Sequence, residues 1–134
     1  MDENQIVEAI VSYLEGLGYI VKQSLTTKEK GIDIIVDHAV KGQILVEAKG
    51  GTSTFEGSAR YGKAYTKSQV FDRVAKGFFT VAEMKEDNPQ AIVAFALPKT
   101  KWFEEYLGRI RNSLSVLGIK VLLVGKSGVV EEMK

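Results

Sequence analysis

Two short apolar runs joined by five residues constrain the fold more than any other part of this sequence. Residues 31–37 and 43–49 are rich in Ile, Leu and Val, and Lys41 and Gly42 close the segment between them. This pattern predicts a β-hairpin. If its turn is centred near Val40, residues equally distant from Val40 face each other across the two strands.

In that register Asp33 faces Glu47. Side chains alternate between the two faces of a strand, so Lys49 shares the face of Glu47. The other face is wholly apolar, and burying it would hold the two strands in this register. The apolar face consists of Ile32, Ile34, Val36, Ile44, Val46 and Ala48.

The facing carboxylates predict a cation site. Like charges opposed on neighbouring strands repel each other, and a divalent cation between Asp33 and Glu47 would cancel the repulsion. The chain has no cysteine, so thiolate sites are excluded and a hard cation held by oxygen atoms is expected. The expected cofactor is Mg²⁺ or Mn²⁺.

Hydrophobic periodicity predicts the other elements of a single domain over residues 1–134. Helical spacing covers residues 3–17, the segment from Thr66 to Asn88, and a segment after Thr100. A strand is expected at residues 19–25, and the apolar runs at 91–97 and 119–124 predict buried parallel strands. The expected fold class is α/β, a mixed β-sheet flanked by helices in the order α-β-β-β-α-β-α-β.

Composition and motifs exclude several classes of function. The 134 residues carry a formal net charge of +1 and contain no long apolar run. We therefore expect no membrane span, and we expect the protein to be cytoplasmic. Gly125, Lys126 and Ser127 look like the end of a phosphate-binding loop, but Lys120 stands where such a loop requires glycine. No nucleotide cofactor is therefore expected. His38 is interpreted as a turn residue.

Asp33 on one strand and Glu47-Ala48-Lys49 on the next resemble the signature of the PD-(D/E)XK (restriction-endonuclease-like) nuclease superfamily. The order of elements over residues 3–97 also resembles the core of that superfamily. Archaeal Holliday-junction resolvases and Mrr-like nucleases are the nearest general types. The proline of the signature is absent before Asp33, a departure found in many variants.

The resemblance implies a role for each of these residues. Asp33 and Glu47 would bind the metal with the Ala48 carbonyl, and Lys49 would position or help to deprotonate the attacking water. Phosphodiester hydrolysis needs a water nucleophile and stabilisation of charge on the phosphate, which a hard cation beside an ammonium supplies. The alternative without a functional site is a solvated sheet face that carries a Glu–Lys pair.

Some superfamily members add a glutamine from the second helix or a glutamate from the first, which makes Gln69 and Glu8 further candidates. Gln69 is equally well explained as the third residue of a capping box that Thr66 begins. Glu8 lies on the polar side of its helix, where a solvated side chain is expected. Arg73 stands where one nuclease subgroup has a tyrosine four residues after the glutamine.

Basic residues concentrate in the long loop and the second helix, which predicts a nucleic-acid-binding rim. Tyr61 and Tyr65 lie among them and could stack on bases. The alternative is an ordinary solvated helix face, because Glu56 and Asp72 dilute the charge. The basic residues are Arg60, Lys63, Lys67, Arg73 and Lys76.

Two functions follow as hypotheses. The first is a metal-dependent nuclease that acts on DNA at a particular structure or end, and the second is a non-catalytic nucleic-acid-binding or assembly module that keeps the nuclease fold. A homodimer is also expected, because junction-type nucleases present two active sites to two strands. Trp102, Tyr106 or the C-terminal strand would form its interface.

Overall fold

The computed structural model describes residues 1–52 and 63–133. It contains a six-stranded sheet with helices on both faces. In chain order the elements are α1 (Glu3–Gly16), β1 (Ile20–Ser24), β2 (Ile34–His38), β3 (Gly42–Ala48), α2 (Lys67–Asp87), β4 (Ile92–Pro98), α3 (Lys101–Arg109), α4 (Arg111–Leu117), β5 (Ile119–Val124) and β6 (Val130–Glu132).

The strands lie in the sheet in the order in which they occur in the chain. β1, β2 and β3 are antiparallel neighbours, β3, β4 and β5 are parallel neighbours, and β6 runs antiparallel to β5. The parallel pairs are possible because α2 connects β3 to β4, and α3 with α4 connects β4 to β5. The sheet is therefore mixed and the fold class is α/β, as the sequence predicted.

Both faces of the sheet are buried, which explains why β4 and β5 are apolar along almost their whole length. α1 covers one face, and its buried residues pack with Val36, Val46 and Leu122 in the α1-side core. α2 and α3 cover the other face, where the α2-side core contains Leu45 and Phe95. The buried residues of α1 are Ile6, Val7, Ile10 and Leu14.

α2 approaches the sheet closely at Gly77. A Cβ at this position would collide with the ring of Phe95, which is fully buried. Gly77 therefore allows the helix backbone to lie directly on the aromatic ring. The helix itself begins with a capping box between Thr66 and Gln69.

Three features differ from the sequence prediction. The third helix is interrupted at Ile110 and forms α3 and α4. The chain continues after β5 through a turn with Gly128 at φ 85° into the additional strand β6. Ile32 packs with the α2-side core, because β2 begins only at Ile34 and strand alternation does not extend to residue 32.

None of the helices in residues 1–52 and 63–133 is long and apolar enough to cross a membrane.

Candidate active site

The register of the β2–β3 hairpin is the one predicted from the sequence. Ile34 pairs with Val46, and the pairing continues to His38 with Gly42. One step beyond Ile34, the Ala48 amide donates a hydrogen bond of 2.8 Å to Oδ2 of Asp33. The Asp33 side chain thus occupies the end of the strand ladder, beside Glu47.

The Asp33 and Glu47 carboxyl groups lie close enough for each to affect the pKa of the other. Glu47 lies on the face covered by α2 and is 9% exposed, and it is the only charged residue in the described parts of the chain that is classed as buried. Two acidic groups are therefore held together where water can stabilise their charge only weakly.

Lys49 completes this arrangement. Its Nζ lies 3.3 Å from Oε2 of Glu47, and both side chains are largely buried. The Lys49 amide donates a hydrogen bond of 2.9 Å to the Ala96 carbonyl, which anchors the residue to β4 just beyond the end of β3. Asp33, Glu47 and Lys49 thus converge at one end of the hairpin.

The pKa values reflect this environment. The pKa of Glu47 is raised from 4.5 to about 7. Burial is the main cause, the charge of Asp33 also raises the pKa, and Lys49 acts in the opposite direction. Burial also raises the pKa of Asp33, against the hydrogen bond from Ala48 and the charge of Lys49. Without a cation, the pair is therefore partly protonated near neutral pH.

Glu3 is a third acidic residue of this region, and the sequence analysis did not identify it. Burial and the charge of Asp33 raise its pKa, and the charges of Lys49 and Arg73 lower it. Its position depends on the loop after β3: the Gly51 amide donates a hydrogen bond of 2.8 Å to the Met1 carbonyl. In the sequence, the only indication of this contact is the pair Gly50-Gly51. A side chain at Gly50 would collide with the backbone of Glu3, so glycine is needed where the loop and the start of α1 meet.

The structure does not bring Glu8 to this region. Five residues after Glu3 the helix has turned by about 140°, and Glu8 is exposed. It lines a groove of about 620 Å³ together with Lys126 and Ser127. The first helix contributes its N-terminal glutamate to the acidic cluster instead.

Gln69 serves as a capping residue. Its side-chain Oε1 accepts a hydrogen bond of 2.8 Å from the backbone N–H of Thr66, and the Thr66 hydroxyl accepts one of 3.3 Å from the backbone N–H of Gln69. The structure therefore favours the capping interpretation over a catalytic one, because the amide oxygen already has a partner.

The basic residues of the expected rim have different surroundings. Arg73 donates a hydrogen bond of 3.1 Å to the Tyr65 hydroxyl, and its guanidinium lies 4.9 Å from the centroid of the Tyr65 ring. Because its charge lowers the pKa of Glu3, Arg73 belongs to the acidic region. Lys63, Lys67 and Lys76 are exposed, and Arg60 lies outside the described residues.

The donor set fits a magnesium ion. Within residues 1–52 and 63–133, no three His, Cys, Asp or Glu side chains are placed to hold one ion. Mg²⁺ is commonly bound by one or two carboxylates, with water and phosphate oxygens as its other ligands. The Asp33–Glu47 pair supplies two such carboxylates. Burial and, after it, the charge of Asp33 raise the pKa of Glu47, and a cation between the two groups would stabilise their ionised forms.

The fold is shared with solved structures of known families. No protein-family model matches the chain, and no curated protein matches it. An XisH family protein from Nostoc punctiforme PCC 73102 covers 97% of this chain and 99% of its own length at 15% identity and a TM-score of 0.57. An fdxN element excision controlling factor protein from Anabaena variabilis covers 98% and 99% at 17% identity and a TM-score of 0.58.

At these identities the likeness shows a common fold over nearly the whole chain.

Proposed function

We propose that this protein is a metal-dependent nuclease that hydrolyses phosphodiester bonds in DNA in the cytoplasm. The observation that carries the proposal is the buried Asp33–Glu47 pair beside the Lys49 ammonium. Three ionisable side chains at the end of one hairpin give a compact site where a cation, a water molecule and a phosphate can meet.

Asp33 and Glu47, with the Ala48 carbonyl, would hold Mg²⁺ or Mn²⁺. The ion would supply charge stabilisation at the phosphate and a lowered pKa for the attacking water. Glu47 holds the Lys49 ammonium within 3.3 Å of its carboxylate, so that Lys49 can orient the water or the phosphate. Arg73 supplies a second cation that can bind a non-bridging phosphate oxygen.

The names of the structural neighbours agree with a role on DNA. One of them is described as an excision controlling factor for the fdxN element, which concerns the removal of a genetic element.

A cleavage assay tests this proposal. Single-stranded, duplex, flapped and four-way DNA are incubated with the protein and Mg²⁺, Mn²⁺ or EDTA. We expect cleavage of at least one substrate with metal and none with EDTA, and we expect Lys49→Ala to lose it. Lys120→Ala is the matched control, because it removes a lysine from another Lys–Glu pair, formed with Glu132 at 3.5 Å.

A non-catalytic nucleic-acid-binding module is the second candidate. The absence of a three-carboxylate group among the described residues favours it, as does the use of the Gln69 amide oxygen in a helix cap. If the wild type binds these DNAs but cleaves none of them with either metal, the module replaces the nuclease as the function.

A further inference from the structure

Two lysine ammonium groups lie over the ring of Trp102. Nζ of Lys67 is 4.4 Å from the ring centroid and Nζ of Lys101 is 4.7 Å from it. The ring is half-buried against the α2-side core, whereas both lysines are exposed. We call Lys67, Lys101 and Trp102 the Trp102 platform.

The platform carries positive charge that the described part of the chain does not balance. Neither Lys67 nor Lys101 forms an ion pair with a described carboxylate. Nearby Lys99, by contrast, pairs with Glu104 at 3.2 Å and with Glu131 at 3.5 Å. Two ammonium groups beside one ring, without a partner among the described carboxylates, make the platform complementary to an anion.

The platform lies at the same edge of the sheet as the candidate active site. β3 and β4 are parallel and Ala48 pairs with Ala96, so Lys49 and Lys101 both follow strand ends at that edge. α2, which begins at Lys67, covers the face that carries Glu47. A polyanion bound beside Lys49 and the proposed cation can therefore extend towards the platform.

We infer that the Trp102 platform binds an unpaired nucleic-acid strand beside the active site. The two exposed lysines turn away from the ring to contact neighbouring phosphates, and this frees the indole surface for one base to stack. A base can stack on a protein side chain only when it is free of its own stack, which duplex DNA does not offer at its surface. This inference rests on the proposed function for the kind of ligand, and it narrows the substrate to DNA with a single-stranded segment or end.

Trp102 is the only tryptophan of the chain, so its fluorescence reports directly on the platform. The metal-free wild type is titrated in EDTA with a short oligothymidylate and, separately, with a blunt duplex. We expect the single strand to quench the fluorescence, because a stacked base contacts the indole, and the duplex to leave it nearly unchanged.

The double variant Lys67→Ala/Lys101→Ala tests the phosphate contacts. Each phosphate contact on a single strand adds about 0.7 to the slope of log affinity against log salt concentration. The double variant should therefore make the salt dependence weaker, with a slope smaller in magnitude by about 1.4. Lys22→Ala/Lys41→Ala is the matched control, because it removes the same charge from β1 and from the β2–β3 turn at the opposite end of β3; its slope should equal that of the wild type.

The inference fails if the single strand does not quench Trp102, if the duplex quenches it equally, or if both double variants lower the slope alike. Its failure can be distinguished from that of the nuclease proposal. Lys49→Ala should keep the quenching although it does not cleave. If the single strand quenches the wild type but the wild type never cleaves, only the nuclease proposal is overturned. If the wild type cleaves but its fluorescence is not quenched, only the platform inference is overturned.

Discussion

The substitution Glu47→Gln isolates the energetic cost of the buried carboxylate pair. The side chain keeps its size and loses its charge, so it imitates protonated Glu47. The folded-state pKa of Glu47 is about 7 and its ordinary value is 4.5. Because folding raises the pKa of an acid, the folded state holds its proton more tightly, and the metal-free wild type should lose stability as the pH rises from about 4.5 to 7.

The size of this effect follows from the same pKa values. Each pKa unit corresponds to about 1.4 kcal/mol, so ionisation of Glu47 costs the folded state up to about 3 kcal/mol above pH 7. Glu47→Gln does not carry this cost. At pH 8 the metal-free variant should therefore be more stable than the wild type by up to about 3 kcal/mol, and near pH 4 the two should be nearly equal.

Urea denaturation in EDTA at pH 4, 6 and 8 measures this difference. The same series with Mg²⁺ at about 1,000 times its Kd should reverse it, because an ion that binds only the native wild type at that concentration adds about 4.1 kcal/mol. The variant lacks one of the two carboxylates and should gain much less. Parallel pH profiles for the two metal-free proteins would refute the argument, since Glu47 would then not be ionised at a cost.

Three further predictions test other parts of the structure. Lys49→Ala should lower cleavage by about 100-fold or more, while Mg²⁺ raises its melting temperature as in the wild type; loss of the Mg²⁺ response would make Lys49 a structural residue. Glu3→Gln should raise the free energy of unfolding of the metal-free protein at pH 8 but not at pH 4, as measured by urea denaturation, because the pKa of Glu3 is raised. Glu8→Gln should leave the free energy of unfolding unchanged at both pH values. Gly77→Ala should destabilise the protein by about 1–3 kcal/mol, because the added methyl group meets a buried phenylalanine ring. Gly108→Ala, with open space around it, should be neutral or stabilising by up to about 1 kcal/mol in thermal unfolding; equal effects at both glycines would contradict the close packing.

The convergence of Asp33, Glu47 and Lys49 could be predicted because it is a local property. The three residues lie within one hairpin, and a short turn together with one apolar face leaves only one register that buries that face. The observed pairing of Ile34 with Val46 confirms this register. The amphipathic α1 and the buried β4 and β5 were predictable for a similar reason, since periodicity reports which faces are covered.

Residues that approach the site from distant elements could not be predicted in the same way. Glu3 interacts electrostatically with Asp33 only because the loop after β3 holds the beginning of α1 against it, through Gly51 and Met1. The helical pattern shows that α1 has a polar side, but it does not show which end of that side meets the sheet edge. The sequence pattern alone therefore could not distinguish Glu3 from Glu8.

The sequence by itself determined the hairpin and its register, because contacts between neighbouring strands follow from alternation and turn length. Only the tertiary structure decided that Gln69 caps α2, that Ile110 interrupts the third helix and that Lys67 lies beside the ring of Trp102. These features depend on how helices dock on the sheet. Docking is set by the shapes of many side chains at once, and no short sequence pattern records it.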